Sequence, residues 1–213
     1  MTPEIIKLDP AHSEQAFLRC REVVRAGGVI VYPTDTFYGL GADPANPVAV
    51  RKLFTIKGRQ AGEPILLLIQ SAQEVPSWAA EITSVAAGLM ERFWPGPLTL
   101  VFKARATVLP ELTGNTGTIG LRVPGSGLTR QLLSSLGTAL TGTSANSSGG
   151  LSPRTAEEIE MHVGGMVDLI LDGGAAPGGE PSTVADVRGE LPKVIREGAV
   201  PARELFRKAY NTR

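Results

Sequence analysis

Residues 28–59 read GVIVYPTDTFYGLGADPANPVAVRKLFTIKGR, and the fold turns on how this stretch is parsed. Val29-Ile30-Val31-Tyr32 is an apolar, β-prone run that Pro33 ends. Small hydroxyl residues follow at Thr34-Asp35-Thr36, then Tyr38 and glycine or alanine at 39, 41 and 42. Asn46-Pro47 predicts a helix start, with Asn as N-cap and Pro at the first helical position. Val50, Leu53 and Phe54 recur at helical spacing and would face a core. That helix would end by delivering Lys57 and Arg59 on either side of Gly58. One strand–loop–helix unit thus brings hydroxyls and a pliable loop near two cations, the parts a polyanion site needs.

Composition sets the outer bounds. A chain of 213 residues predicts one large domain, with a core from about 16 to 200 and a closing helix or tail over 201–213. Basic and acidic residues balance at 21 each, which argues against a protein whose main task is coating nucleic acid. Cys20 is the only cysteine, so no disulfide framework or cysteine metal site can form within one chain. The opening MTPEIIKLDP has no basic region followed by an apolar core, and no apolar run is long enough to span a bilayer. The expected setting is the cytoplasm, away from membranes.

Outward from the central unit, residues 13–26 predict an amphipathic helix with Ser13 as N-cap and Gly27 beyond its end. Residues 64–69 predict a buried strand, 82–93 a helix stopped by Trp94-Pro95-Gly96-Pro97, and 98–102 and 118–123 two further strands. Residues 127–136 predict a short helix. A strand to about Leu140 then feeds a polar, small-sided loop through Gly150. Thr155-x-x-Glu158 is a capping box for a helix to about Val163. Val167–Leu171 reads as a strand, Asp172–Pro181 as a mobile Gly-rich loop, 182–187 and 193–196 as two strands and 202–210 as a closing helix. Several adjacent strands lack an intervening helix. The pattern therefore predicts an α+β domain: a mixed sheet with helices on its faces.

Four places could carry chemistry. They are the Thr34–Gly41 loop, the cations Lys57 and Arg59, the Ser144-Ala145-Asn146 loop, and Arg122 on a strand between Leu121 and Val123. Each also fits an ordinary role: a plain turn, a solvated helix C-terminus, a surface loop, an exposed strand face. Neither Gly-x-x-x-x-Gly-Lys-Ser/Thr nor Gly-x-Gly-x-x-Gly occurs, so any nucleotide is held without the two common motifs. His12 and His162 lie outside all four places. Cys20, inside a predicted helix, reads as a packed thiol.

The chain resembles the YrdC-like family of threonylcarbamoyl-AMP synthases from about Ala16 to Val200. The markers are Pro33-Thr34-Asp35-Thr36-x-Tyr38-Gly39-Leu40, Lys57-Gly58-Arg59, Trp94-Pro95-Gly96-Pro97-Leu98-Thr99, Gly120-Leu121-Arg122-Val123-Pro124, Ser144-Ala145-Asn146, Pro181-Ser182-Thr183-Val184 and Ile195-Arg196-Glu197-Gly198. Each is short, but all occur in the family order. The resemblance implies a three-layer α+β domain with a twisted mixed sheet and an open concave face, in the short form. It implies condensation of L-threonine, bicarbonate (or CO₂) and ATP, with Mg²⁺ assisting, into threonylcarbamoyl-adenylate and pyrophosphate. The product would pass to a tRNA threonylcarbamoyl-transfer complex for adenosine 37, with weak tRNA binding possible.

Residue by residue, the resemblance places Lys57, Arg59, Thr118, Asn146, Arg154 and Arg196 on the nucleotide, with Lys57 and Arg59 in the catalytic role. It places Thr36, Arg122, Ser144 and Ser182 on threonine, Arg122 suiting its carboxylate. No residue is an obvious general base, so positioning and charge neutralisation would supply most of the catalysis. Three positions depart from the family pattern: Gln60 where Pro is common, Glu63 where Asn is common, and Leu68 where many members have His. Two rival classes follow: an adenylating enzyme with another carbamoyl donor, as in hydrogenase-maturation proteins, and a non-enzymatic RNA-binding module in tRNA or ribosome maturation. The first comes as large multidomain chains with zinc-finger cysteines. The second needs a basic, aromatic-lined face, against which zero net charge and 5% aromatic content count.

Overall fold

The computed structural model describes residues 2–9, 13–58, 62–146 and 153–207. The strands are β1 (Glu4–Lys7), β2 (Ile30–Tyr32), β3 (Gly39–Gly41), β4 (Leu66–Leu68), β5 (Leu98–Lys103), β6 (Thr118–Arg122), β7 (Leu140–Ser144), β8 (Leu169–Asp172), β9 (Thr183–Asp186) and β10 (Lys193–Arg196). The helices are α1 (Ser13–Arg25), α2 (Pro47–Lys57), α3 (Val75–Trp78), α4 (Ser84–Phe93), α5 (Pro110–Thr113), α6 (Gly127–Leu136), α7 (Ala156–Val163) and α8 (Ala202–Phe206). Among the described residues the strands form one mixed sheet in the order β1-β8-β2-β3-β7-β4-β6-β5-β9-β10. Strands β1 and β2 run parallel to β8, β4 to β6, and β5 to β9; the other pairs are antiparallel.

Strand alternation decides what each face carries. Val29 and Val31 enter one core while Ile30 and Tyr32 enter the other. Leu67 and Leu68 divide the same way, as do Ile170 and its neighbours Leu169 and Leu171. The first core runs the length of the sheet and takes Val50, Leu53 and Phe54 of α2, Leu89 of α4 and Ile159 of α7. The second is smaller, built with Phe17, Cys20 and Val24 of α1 and Leu132, Leu133 and Leu136 of α6. Each fully buried Leu or Ile contributes roughly 1.5–3 kcal/mol. Across β5, β6 and β9 the first face stays apolar, with Leu98, Leu100, Phe102, Ile119, Leu121 and Ala185. The opposite positions are Thr99, Val101, Thr118, Gly120, Arg122 and Val184, and all six line a cavity. The second core ends where that cavity begins.

The central unit forms as its residues dictate. Asn46 caps α2 by accepting N–H bonds from Val48 (3.0 Å) and Ala49 (3.3 Å), and Gly58 ends the helix at φ 59°. Lys52 of α2 then reaches Asp168 (2.6 Å), which also accepts the Val29 N–H (2.7 Å). Helix, first strand and the approach to β8 are thereby joined.

Several expectations shift. The sheet starts at Glu4, ahead of the boundary at residue 16, because β1 pairs with β8 as an edge strand. With only Ile5 and Ile6 apolar, its sequence gave no periodic signal. Part of the expected Thr34–Gly41 loop is strand β3; Gly39 and Gly41 look like turn residues, yet they are there for space. A Cβ on Gly41 would lie 2.5 Å from the Leu140 side chain and 2.7 Å from the Tyr32 ring. The strand expected to end near Leu140 instead begins there and runs to Ser144. Its small polar residues fit because β7 bonds to β4 over its first half and to β3 over its second. The capping box is offset by one: Thr155 accepts the Glu158 N–H (3.3 Å), but the Glu158 carboxylate takes the N–H of Arg154 (2.6 Å).

The Gly-rich stretch after β8 is strapped across the loop after β2. The Gly178 N–H donates to Thr36 O (2.7 Å), the Ala176 N–H to Arg154 O (2.8 Å), and the Tyr38 hydroxyl to Gly174 O (2.7 Å). Gly174, Gly178 and Gly179 sit at φ 80°, 73° and 88°, so glycine here serves shape. A Cβ on Gly178 would also come within 2.7 Å of the Arg154 side chain.

Candidate active site

The cavity over β4, β5, β6, β7 and β9 has a volume of about 460 Å³. Its floor is apolar at Leu66 and Leu68 and carries no side chain at Gly120 and Gly142. The loop after β2 and the Pro181-Ser182 turn wall it, together with Ile195 and Arg196 of β10. Strand β10 slips register between Val194 and Arg196. The bulge makes Ile195 an extra residue, so two consecutive side chains reach the same cavity.

The hydroxyls are oriented by their neighbours. Thr34 Oγ1 donates to Phe37 O (2.7 Å) and accepts the Thr36 N–H (3.1 Å), which shapes the turn. Its one proton is thus used, so in its 3.2 Å contact with Thr36 Oγ1 it is Thr36 that donates. Thr36 then offers lone pairs to the cavity. The same logic applies to Thr118: Thr116 Oγ1 donates to Thr113 O (2.6 Å), so Thr118 donates to Thr116 (2.7 Å). Tyr38 donates to Gly174 O and accepts the Gly173 N–H (3.1 Å), and burial pushes its phenol up to about 12.

Two guanidinium groups converge on this cavity. Arg122 is 5% exposed on β6; its Nε donates to Gly96 O (2.9 Å) and its Nη2 to Asp35 Oδ2 (2.5 Å). Arg196 comes from the opposite wall, and its Nη2 donates to Ser182 O (2.8 Å) and Ser182 Oγ (3.3 Å). Burial, then the charge of Arg122, lowers its pKa from the usual arginine value. The cavity therefore holds a cation whose charge an incoming anion would relieve. Ser182 is buried and lies 3.0 Å from the hydroxyl of Thr99.

The structure brings Thr36, Thr118, Arg122, Ser144, Ser182 and Arg196 to one cavity. Lys57 and Asn146 stand just behind its wall. The Lys57 ammonium is 1% exposed and donates to Ser144 O (2.7 Å) and Asn146 Oδ1 (2.9 Å), while Ser144 Oγ donates to Asn146 Oδ1 (2.5 Å). It braces the Ser144-Ala145-Asn146 turn from within. Arg154 does not line the cavity; it donates to Ala176 O (3.2 Å) and Pro177 O (3.1 Å) and holds the strap. Arg59, Gln60 and His12 lie outside the described residues, as do 147–152. Leu68 is in the floor, beside Tyr32.

Sequence reading gave no role to three residues here, Asp35, Thr99 and Ile195, although each falls inside a family marker. Thr99 is a polar residue at an alternating position of the apolar strand LTLVFK. For Asp35 nothing local points to the partner, which is 87 positions away. Among the described residues no cluster of three His, Cys, Asp or Glu side chains could hold a metal ion, and no helix is long and apolar enough to cross a membrane.

A family profile for Sua5, YciO and YrdC, described as telomere recombination, matches residues 22–198. The chain belongs to this family. A threonylcarbamoyl-AMP synthase of Thiobacillus denitrificans is 40% identical over 164 residues, covering 77% of this chain and 87% of the relative. One from Pyrococcus abyssi is 36% identical over 182 residues, covering 85% of this chain but 54% of the relative, so this chain spans about half its length. Among solved structures, the fold matches P. abyssi Sua5 complexed with L-threonine at a TM-score of 0.91 and 32% identity, covering 99% of this chain and 61% of that one. E. coli YciO matches at 0.83 and 32% identity, covering 93% of this chain and 97% of that one. The α+β fold with a mixed sheet, expected from the alternation of elements, is the fold of these structures.

Proposed function

We propose that this protein is a threonylcarbamoyl-AMP synthase, joining L-threonine, bicarbonate or CO₂ and ATP. One observation carries the reading: Arg122 and Arg196 converge on a single cavity with the hydroxyls of Thr36, Ser144 and Ser182 between them. Such a cavity can hold a carboxylate and a phosphate side by side. The solved relative bound to L-threonine and the names of the sequence relatives agree with it.

The chemistry follows from charge. The threonine amine adds to CO₂ and loses a proton, giving a carbamate; bicarbonate enters the same way with loss of water. A carbamate oxygen attacks the α-phosphorus of ATP, and pyrophosphate leaves with the bond it breaks. Both reactants are anions, so the site must offset their repulsion and hold them in line. Arg122 takes the threonine carboxylate through its Nη atoms, since Nε is already held by Gly96. Thr36, Ser144 and Ser182 fix the rest of threonine. Arg196 and Thr118 meet the nucleotide from the other side. Lys57 and Asn146 shape the turn that the phosphates approach, and Arg59 follows Lys57 two positions on. Arg154 reaches the nucleotide only by leaving the strap carbonyls.

With no carboxylate cluster among the described residues, Mg²⁺ would be held chiefly by the triphosphate oxygens, near the hydroxyls of Ser144 and Thr36. Bound there, it would neutralise charge on the leaving pyrophosphate. The product goes to a tRNA threonylcarbamoyl-transfer complex in the cytoplasm. The test is pyrophosphate release with each substrate omitted in turn. Release should require L-threonine and bicarbonate together; equal turnover with serine, or turnover without bicarbonate, refutes the assignment.

A further inference from the structure

The two cavity arginines differ in one respect that the reaction scheme above does not use. Behind Arg122 stands a carboxylate, Asp35, and the groups that Arg196 meets are the neutral oxygens of Ser182. Asp35 does not itself line the cavity. Its Oδ2 takes the ion pair, and its Oδ1 is buried with no hydrogen-bond partner. Among the described residues no other donor draws on this carboxylate, so its charge is set against Arg122. The pair is also clamped: Arg122 Nε is held by Gly96 O (2.9 Å), and a Cβ on Gly125 would come within 2.9 Å of Asp35 Oδ2.

We propose that Asp35 is a specificity-determining residue that reserves Arg122 for an amino-acid carboxylate and leaves phosphate to Arg196. The proposal rests on the reading of the cavity as a joint amino-acid and nucleotide site. With Asp35 behind it, the net charge at Arg122 is near zero, so a multiply charged phosphate gains little there. Coulomb attraction grows with the charge of the ligand, and so does repulsion from Asp35. A zwitterionic amino acid, of zero net charge, feels almost none of that repulsion. It still collects directional N–H bonds from Nη1 and from the Nη2 hydrogen not given to Asp35, on a guanidinium that lines the cavity. Arg196, by contrast, is exposed on its edge strand and meets no carboxylate among the described residues, so its charge is open to a phosphate. Asp35 thus acts through Arg122 as a positioning residue and never touches substrate.

The experiment is titration calorimetry on the full chain, wild type and Asp35→Asn, with L-threonine and with inorganic pyrophosphate as separate probes. For Asp35→Asn the ratio of the two affinities should move toward pyrophosphate by about tenfold or more. Inorganic phosphate should compete with threonine in the variant and fail to compete in wild type. A purely structural role would weaken both ligands together and leave the ratio unchanged; that result overturns the proposal. A second variant, Asp35→Asn/Arg122→Gln, removes both charges and keeps the buried pair neutral. It should lose threonine but bind pyrophosphate as wild type does. If pyrophosphate binding falls in that variant, Arg122 already holds phosphate and the proposal fails. Wild type that binds neither probe refutes the functional reading itself, and shows this without any variant.

Discussion

Arg122 and Arg196 are the same residue in two settings, and the contrast separates what holds the fold from what waits for a ligand. Arg122 sits mid-sheet on β6, buried, with a carboxylate and a backbone carbonyl on it. Arg196 sits on the edge strand β10, at a bulge, and among the described residues its hydrogen bonds go to Ser182. A buried ion pair is weak evidence for stability while intact, but breaking one side leaves an uncompensated charge. An arginine held by neutral groups at an edge leaves nothing behind when removed.

The largest expected effect follows from that asymmetry. Arg122→Ala should abolish threonine use and lower stability by about 3–5 kcal/mol, because Asp35 is left buried and alone. Urea denaturation of the variant measures this. Arg196→Ala should weaken nucleotide binding by about tenfold or more, yet change stability by about 1 kcal/mol or less. Equal loss of stability in the two variants would erase the distinction between them.

A smaller effect concerns the strap. Tyr38→Phe removes the hydroxyl that joins Gly173 and Gly174 to the wall of the cavity, which should cost about 1–2 kcal/mol. Hydrogen exchange should find the amides of Ala176 and Gly178 protected in the free wild-type protein and faster in the variant. Fast exchange in wild type would restore the picture of a mobile lid. The phenol also has a pH signature. Its folded pKa of about 12 lies above the ordinary value of 10.0, so the neutral form is favoured by folding. That stability is whole below pH 10 and lost as pH rises toward 12. Tyr38→Phe should make this part of a stability–pH curve less steep, leaving the share of Tyr32, whose phenol burial also pushes up. The smallest effect is Ser182→Ala, where threonine use should weaken by roughly tenfold and the preference for threonine over 2-aminobutyrate should narrow. Unchanged threonine kinetics would remove Ser182 from the site.

Local signals carried most of the fold. The Asn46-Pro47 cap, the helix over 127–136 and the strand over 98–102 all stand as read, because each depends on neighbours a few residues away. Misreadings came where glycine was taken for freedom. Gly41 is in a strand because a side chain there would collide with Leu140, and Gly178 bends a strap that Arg154 and Thr36 then hold. The site was half legible in the same sense. Arg122, Ser182 and Arg196 stand out as polar residues in β-prone runs, but which of them is neutralised is a fact of three dimensions. Asp35 meets Arg122 only once β2 and β6 lie in one sheet.

The sheet order has a consequence for how the chain is made. Strands β1 and β2 both pair with β8, whose residues are 169–172, and β5 pairs with β9 at 183–186. A nascent chain that has emerged only as far as α6 has already produced β1, β2 and β5, yet their parallel partners are still inside the ribosome. Their edges stay open until β8 and β9 have emerged, and such long-range pairing folds slowly and is prone to association. The cavity inherits this timetable: one wall, Ser182 with Ile195 and Arg196, is translated after the rest of its lining. A chain stopped before β8 would lack the parallel partner of β1 and β2 and that wall of the cavity together.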